Sequence, residues 1–284
     1  MAVPTPETPN TPASPKLAAT VLLLRDTHCG LEVYVQERVS SMRFAANMTV
    51  FPGGGVDQRD FPAVANEVMA VTEPSEADPE SRIAQAFNVD RVRAHALTCA
   101  AVRETFEETG TLLVRDAGGE IVADAHRFHR QRRQLEAHEL SLTDFLSIEN
   151  LALDAELVSP WANWVTPESN PIRYDTYFFL AALPDGQRAD GDTSEASSSG
   201  WFRPTTILDG WRRGLLGLMP PTWAQLTRLD GVSTVAEALE AARNTPVRRT
   251  SSDFLGEPFM DEYFAVATHM AVSYTHLKLP TTPY

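Results

Sequence analysis

The sequence is short of three things, and each shortage excludes a class of protein. It has two cysteines, Cys29 and Cys99, too few for a disulfide framework and not spaced as a CxxC metal pair. It is short of positive charge: 24 Lys and Arg stand against 38 Asp and Glu, a net charge of −14. That balance argues against a protein that wraps a nucleic acid polymer or lies on an anionic membrane. It also has no apolar run near the ~18 residues that span a bilayer, and residues 1–16 show no apolar signal-peptide core. A cytoplasmic, reducing environment is the expectation. The seven histidines have no ligand spacing, and there are no internal repeats.

What is present divides the chain. Five prolines interleaved with threonines in "MAVPTPETPNTPASP" make residues 1–16 read as an extended or disordered tail. "AATVLLL" (18–24) and the alternating "LEVYVQERV" (31–39) predict two strands, with "RDTHCG" between them as a hairpin turn. "MTVFP" (48–52) predicts a short strand stopped by proline and glycine. Residues 61–92 are acidic and irregular, becoming helix-like only in their second half. Residues 94–108 are rich in helix formers, with Gly110 placed as the stop. "TLLV" begins another strand, and 125–140 reads as an amphipathic helix whose Arg127, Arg130, Arg132 and Arg133 form a solvated face. "NWVTP" and 173–183 predict strands, the second apolar enough to be central. Residues 185–200 read as a polar loop, after which the chain turns helical. Thr234 and Glu237 are spaced as a capping box. Trp161, Trp164 and Trp201 are expected in the core. The last thirteen residues, 272–284, match nothing around them and read as non-native read-through.

The chemistry concentrates in "FPGGGVDQRD" (51–60) and "AVRETFEETG" (101–110). On a helix, Glu104, Glu107 and Glu108 fall within an arc of about 100°, because i, i+3 and i+4 neighbours share a face. Arg103, four residues before Glu107, neutralises one carboxylate and not three. A solvated helix face with an Arg–Glu pair is one reading. A hard divalent cation among the carboxylates, with substrate phosphate completing its shell, is the other.

Together these stretches resemble the Nudix box of the Nudix hydrolases: a glycine, an acidic residue, then Arg-Glu-U-x-Glu-Glu-x-Gly-U with U aliphatic. "RETFEETGT" supplies Arg103, Glu104, Glu107, Glu108 and Gly110, and Gly54 is the box glycine. Thr105 and Thr111 stand where aliphatic residues are usual, and the early acidic position falls on Asp60. Positions 55–102 separate Gly54 from Arg103, so the box is interrupted by a segment running from 61 to about 95. A Nudix subgroup that includes peroxisomal coenzyme A hydrolases of animals carries such an interruption, and this chain resembles a bacterial-type relative. The resemblance covers roughly 17–210, with 211–271 as a helical extension. It implies an α/β fold, the Nudix α/β/α sandwich with a mixed sheet.

The resemblance also implies a Mg²⁺-dependent (or Mn²⁺-dependent) diphosphatase acting on a small-molecule nucleoside diphosphate linked to another group. Glu104, Glu107, Glu108 and the Gly54 carbonyl would hold the metal, and Glu104, held by Arg103, or Glu195 would act on the attacking water. Gly53 and Gly54 would let backbone approach a metal–phosphate centre; a plain strand-ending turn is the alternative. Arg38 and Arg43 match two arginines that coenzyme A-directed Nudix enzymes carry before this loop, with Asn47 in place of a glycine. Guanidinium forks suit phosphates, but the pair would equally serve this acidic protein's own carboxylates. Arg173, with Asp175, would reach the nucleotide end of a substrate or form a structural pair at the start of a strand. Coenzyme A or an acyl-CoA is the expected substrate, ADP-ribose or a nucleotide sugar the alternative, and a nucleotide-sensing module without turnover a third reading. A homodimer is compatible with the sequence.

Overall fold

The computed structural model describes residues 13–39, 48–62, 78–193, 196–251 and 260–267. Most of the N-terminal tail, Arg43, Asn47, much of the 61–95 interruption, Glu195 and the 272–284 segment lie outside the described residues.

In chain order the elements begin with β1 (Lys16–Thr27), β2 (Gly30–Arg38), β3 (Met48–Val50), β4 (Gly53–Gly55), α1 (Pro79–Phe87) and α2 (Arg91–Thr109). Then come β5 (Val114–Arg115), α3 (His129–Glu136), α4 (Leu142–Glu149), β6 (Ala152–Leu153), β7 (Ser159–Val165), β8 (Tyr174–Ala182) and β9 (Ala196–Phe202). The chain continues through α5 (Pro204–Arg212), β10 (Gly217–Leu218), α6 (Pro220–Leu229), α7 (Val235–Asn244) and β11 (Arg249–Ser251), with a helical stretch at 261–267. No helix of the described residues is long and apolar enough to cross a membrane.

The main sheet has nine strands on the path β10-β3-β2-β1-β8-β7-β11, with β4 paired to β1 and β9 to β2. β1 is its centre. It runs parallel to β8 from Lys16↔Tyr174 to Leu24↔Ala182, and its far end turns through the expected hairpin into β2 at Thr27↔Gly30. Both faces of β1 are buried, which explains its unbroken apolar run. Val21 and Leu23 pack with α1, α2, α3 and α4; Leu22 and Leu24 pack with α5, α6 and α7. β8 alternates the same way, Tyr177, Phe179 and Ala181 to the first layer and Phe178 and Leu180 to the second. The result is the expected α/β/α sandwich around a mixed sheet.

Four expectations are corrected. The 185–200 loop ends in a strand: β9 pairs along β2 from Val33↔Phe202 to Arg38↔Ala196. Its "ASSSGWF" lacks apolar alternation because none of its residues is fully buried and Ser197 and Ser198 are exposed. Besides the ladder, Ser197 and Ser198 bond Glu37, and Trp201 packs edge-on to Tyr34. The C-terminal extension is not helices only, since β10 runs parallel to β3 and β11 parallel to β7, and α6 and α7 complete the second core. Within α3, Arg132 is buried rather than solvated. The Thr234 hydroxyl accepts the Glu237 N–H, but the Glu237 carboxylate accepts from Ser233 instead of closing the box on Thr234. Trp161 and Trp164 are buried, and Trp201 is half-buried under the Arg25 guanidinium.

Phe179 is fully buried between Phe87 and the sheet. Phe179→Ala should lower unfolding stability by about 3–5 kcal/mol. Ser198→Ala, on the exposed face of β9, should stay within about 0.5 kcal/mol. Equal shifts in the urea midpoint would contradict this placement of the core.

Candidate active site

α2 begins where the Asp90 side chain accepts the Arg93 N–H and ends at Gly110, whose φ of 72° admits the left-handed turn. Its C-terminal half carries the charged cluster, and this face is not solvated. Arg103, Glu107 and Glu108 are 5, 8 and 3% exposed. Thr105, where an aliphatic residue is usual, is fully buried because its hydroxyl is spent on the Ala101 carbonyl at 2.7 Å.

Arg103 organises the cluster. Its Nε and Nη2 donate to the two oxygens of Asp60 at 3.0 and 2.9 Å, and Nη2 also reaches the Gly55 carbonyl at 2.9 Å. Nη1 donates to Glu104 Oε1 at 2.7 Å and stands 3.5 Å from Glu107 Oε1. The main partners are therefore Asp60 and Glu104 rather than the Glu107 of the simple helix pair. Burial alone would lower the Arg103 pKa, but the bonds to Asp60 and the charge of Glu104 raise it. Asp60 sits at the end of a one-turn helix (Gln58–Asp60) capped by Asp57, and its Oδ2 accepts the Asp57 N–H at 2.7 Å. The early acidic position of the interrupted box is thus returned to the arginine of its second half.

Glu108 is held from the sheet side. Gln36 Nε2 donates to its Oε2 at 2.5 Å and the Gly53 N–H at 3.0 Å. Gly53 and Gly54 are required by close approach. A Cβ on Gly53 would stand 2.4 Å from the Ala19 carbonyl oxygen, and one on Gly54 would stand 2.5 Å from the Glu104 carboxylate. Gly55 has open space. β4 pairs with the first half of β1, Gly53 opposite Thr20, so the stretch is a strand rather than a terminal turn.

A cavity of about 890 Å³ opens over β4, at the upper end of the range for small-molecule and cofactor sites. Gly53, Gly54, Arg38, Asp57, Arg103 and Glu104 line its polar part; Trp164, Phe178, Met219, Pro220 and Phe264 line its apolar part. Arg173 does not line it. That guanidinium donates to the Thr166 and Ala13 carbonyls, and Asp175 bonds Asn163 and Arg249 instead. Arg173 thus closes strand ends, and the structural pair with Asp175 offered by the sequence is not formed.

The donor set suits a hard divalent cation. Three carboxylates (Asp60, Glu104, Glu107) meet one buried guanidinium, and a fourth, Glu108, is buried on the same helix. Glu107 Oε1 is buried and accepts no hydrogen bond. Burial first, and then the charge of Glu104, lift the Glu107 pKa to about 7. Among the described residues, no three acidic, histidine or cysteine side chains close on one point: Glu104 is turned to Arg103, and Glu108 to Gln36 and Gly53. Holding a cation would require these carboxylates to turn toward Glu107.

Several residues here were not singled out as site residues by sequence. Gln36 is a polar group inside a buried strand, which is its only local signal. Arg132 is buried, donating Nε to the Glu107 carbonyl at 3.0 Å and Nη1 to Asp190. His138, at the cavity edge, has a φ of 58°. Arg59 Nη2 lies 3.2 Å from its Nδ1.

Two outcomes follow for the metal-free protein. Glu107 binds its proton more tightly folded than unfolded, so its contribution to stability falls as pH rises from about 4.5 to about 7. In EDTA, Glu107→Gln should remove part of that decline in the urea midpoint, and parallel pH curves would refute the assignment. Asp60→Ala strips the buried Arg103 of its two-point partner and should cost about 3–5 kcal/mol. A cost below about 1 kcal/mol, read from the same unfolding curves, would show the pair to be dispensable.

The model of the NUDT19 Nudix domain matches residues 11–229. The acyl-coenzyme A diphosphatase NUDT19 of Xenopus laevis is 24% identical over 236 residues, 72% of this chain and 61% of that protein. The protein of the same name from Gallus gallus is 26% identical over 267 residues, 79% of this chain and 70% of its own length. The chain thus spans about six-tenths of the Xenopus relative's length. A NUDIX hydrolase from Alicyclobacillus acidocaldarius, solved by crystallography, superposes with a TM-score of 0.65 at 27% identity, over 80% of this chain and 96% of that one. With the family model covering most of the chain and the two halves of the box rejoined around Arg103, the chain belongs to the NUDT19 Nudix domain family.

Proposed function

We propose that the protein hydrolyses the diphosphate bond of coenzyme A or an acyl-CoA, giving 3′,5′-ADP and (acyl-)phosphopantetheine. The observation that carries this reading is the buried Arg103–carboxylate cluster opening through a glycine strand into a cavity of about 890 Å³. The names of the Xenopus and Gallus relatives support the substrate class.

Glu104, Glu107 and Glu108, with the Gly54 carbonyl, would hold Mg²⁺ or Mn²⁺, which supplies charge neutralisation at the diphosphate and an acidified water. The remaining work belongs to the chain. Arg103 fixes Glu104 at the cavity wall, where that carboxylate can orient the attacking water and take its proton. Gln36 and the Gly53 N–H hold Glu108, and Asp60 keeps Arg103 from turning away. Bare backbone at Gly53 and Gly55 leaves room for phosphate oxygens. Arg38, on the cavity wall, supplies a guanidinium for them. The roles of Arg43 in phosphate binding and of Glu195 as a second base rest on their sequence positions. The apolar part of the cavity suits an acyl or pantetheine arm better than a second sugar, which favours coenzyme A over ADP-ribose.

Purified protein with Mg²⁺ should cleave coenzyme A and acyl-CoA in preference to ADP-ribose. Glu104→Gln should lower kcat by about 10²–10⁴-fold with KM little changed. Turnover of ADP-ribose with coenzyme A untouched would overturn the substrate. Full kcat in the Gln variant would overturn the role of Glu104.

A further inference from the structure

A second cavity, of about 430 Å³, lies behind the substrate cavity on the opposite face of the sheet. The alternation of β8 separates the two: Tyr174, Thr176 and Phe178 line the first, Asp175 and Tyr177 the second. The segments this chain adds to the core fold build the rest of its wall. Asn88 and Val89 come from the end of the box interruption, and Val247 and Arg249 from the C-terminal extension.

Its chemistry is cationic in a protein of net charge −14. Arg93 and Arg249 stand at the exposed rim, and Asn163, Asp175 and Tyr177 form a buried floor. Asp175 is already satisfied, with Oδ1 taking the Asn163 amide at 2.7 Å and Oδ2 taking Arg249 at 2.9 Å. Its one negative charge is therefore matched by Arg249, and Arg93 remains as the surplus positive charge, beside the Tyr177 hydroxyl. The backbone N–H of Arg93 is taken by the Asp90 cap. The donors on offer are thus side chains: a guanidinium fork, the rest of the Arg249 fork and a phenol. Two guanidinia and a phenol lining one cavity suit the several oxygens of a phosphate.

We propose that this cavity is a second binding site, for a small phosphate-bearing anion, distinct from the diphosphate-cleaving site. Arg93 and Arg249 grip the phosphate and Tyr177 donates from the floor. The remaining volume, beyond one phosphate group, leaves room for a small ester.

Calorimetric titration with inorganic phosphate in EDTA, at constant ionic strength in chloride, tests this without reference to turnover. A roughly millimolar Kd is expected. Arg93→Gln, at an exposed position whose backbone bond survives, should weaken it roughly tenfold, the loss of one charge-assisted contact. Tyr177→Phe should weaken it less, and Glu104→Gln should leave it unchanged. No phosphate binding, undiminished binding in Arg93→Gln, or loss in Glu104→Gln would each overturn the proposal. Because metal and substrate are absent, failure here leaves the hydrolase reading standing, and failure of that reading leaves this one standing.

Discussion

The site depends on one buried ion pair, Arg103 with Asp60. Their side chains are 6 and 2% exposed, and two parallel contacts at 2.9 and 3.0 Å join them. Such a pair is weak support for stability in itself, because desolvation offsets much of its attraction. Its consequence is geometric. Asp60 occupies two of the guanidinium's nitrogens, and the third bonds Glu104 at 2.7 Å with Glu107 farther off at 3.5 Å, which fixes Glu104 at the cavity wall. Glu107 keeps only the longer contact to this committed cation, and Glu108 is held from the sheet side instead. Burial first, and then the charge of neighbouring Glu104, raises the Glu107 pKa within this crowded cluster.

The interruption of the box is tolerated because it leaves and returns at fixed points. Asp60 ends a capped turn before the chain departs, and Asp90 caps α2 on its return. Between them, closure entropy grows only slowly with added length. The returning half is not decoration: Ile83 and Phe87 of α1 enter the first core, with Phe87 edge-on to Tyr177 and Phe179 at 4.9 and 5.1 Å. The inserted segment thus supplies packing to β8, the strand that also lines the larger cavity.

Legibility in the sequence followed the range of the interactions. The α2 helix, its glutamates, Gly110 and the hairpin at 25–30 are set by neighbours a few residues away, and the structure shows all of them. Residues paired across long separations left little trace. Gln36 meets Glu108 across 72 positions, and β9 meets β2 across about 160. Arg132 was indistinguishable from its solvated neighbours, since only tertiary packing selects one of four arginines to cap α2. Asp60 fell on the acidic position of the family pattern, but its partner became evident only when the chain folded back.

The glycines of β4 resolve a problem the sandwich itself creates. α2 belongs to the layer that packs on Val21 and Leu23, whereas the cavity lies against Ala18, Thr20 and Phe178 on the other face. A complete strand of ordinary side chains would wall the glutamates off from any ligand there. Gly54 pairs with Ala19, so its missing side chain would have pointed to the α2 layer, into the space the Glu104 carboxylate fills. Gly53 and Gly55 flank it and both line the cavity, Gly53 with its missing Cβ against β1 and Gly55 beside open space. The strand remains hydrogen-bonded and continuous, yet it is thin enough for a carboxylate rooted in one layer to reach the wall of a cavity that lies against the other.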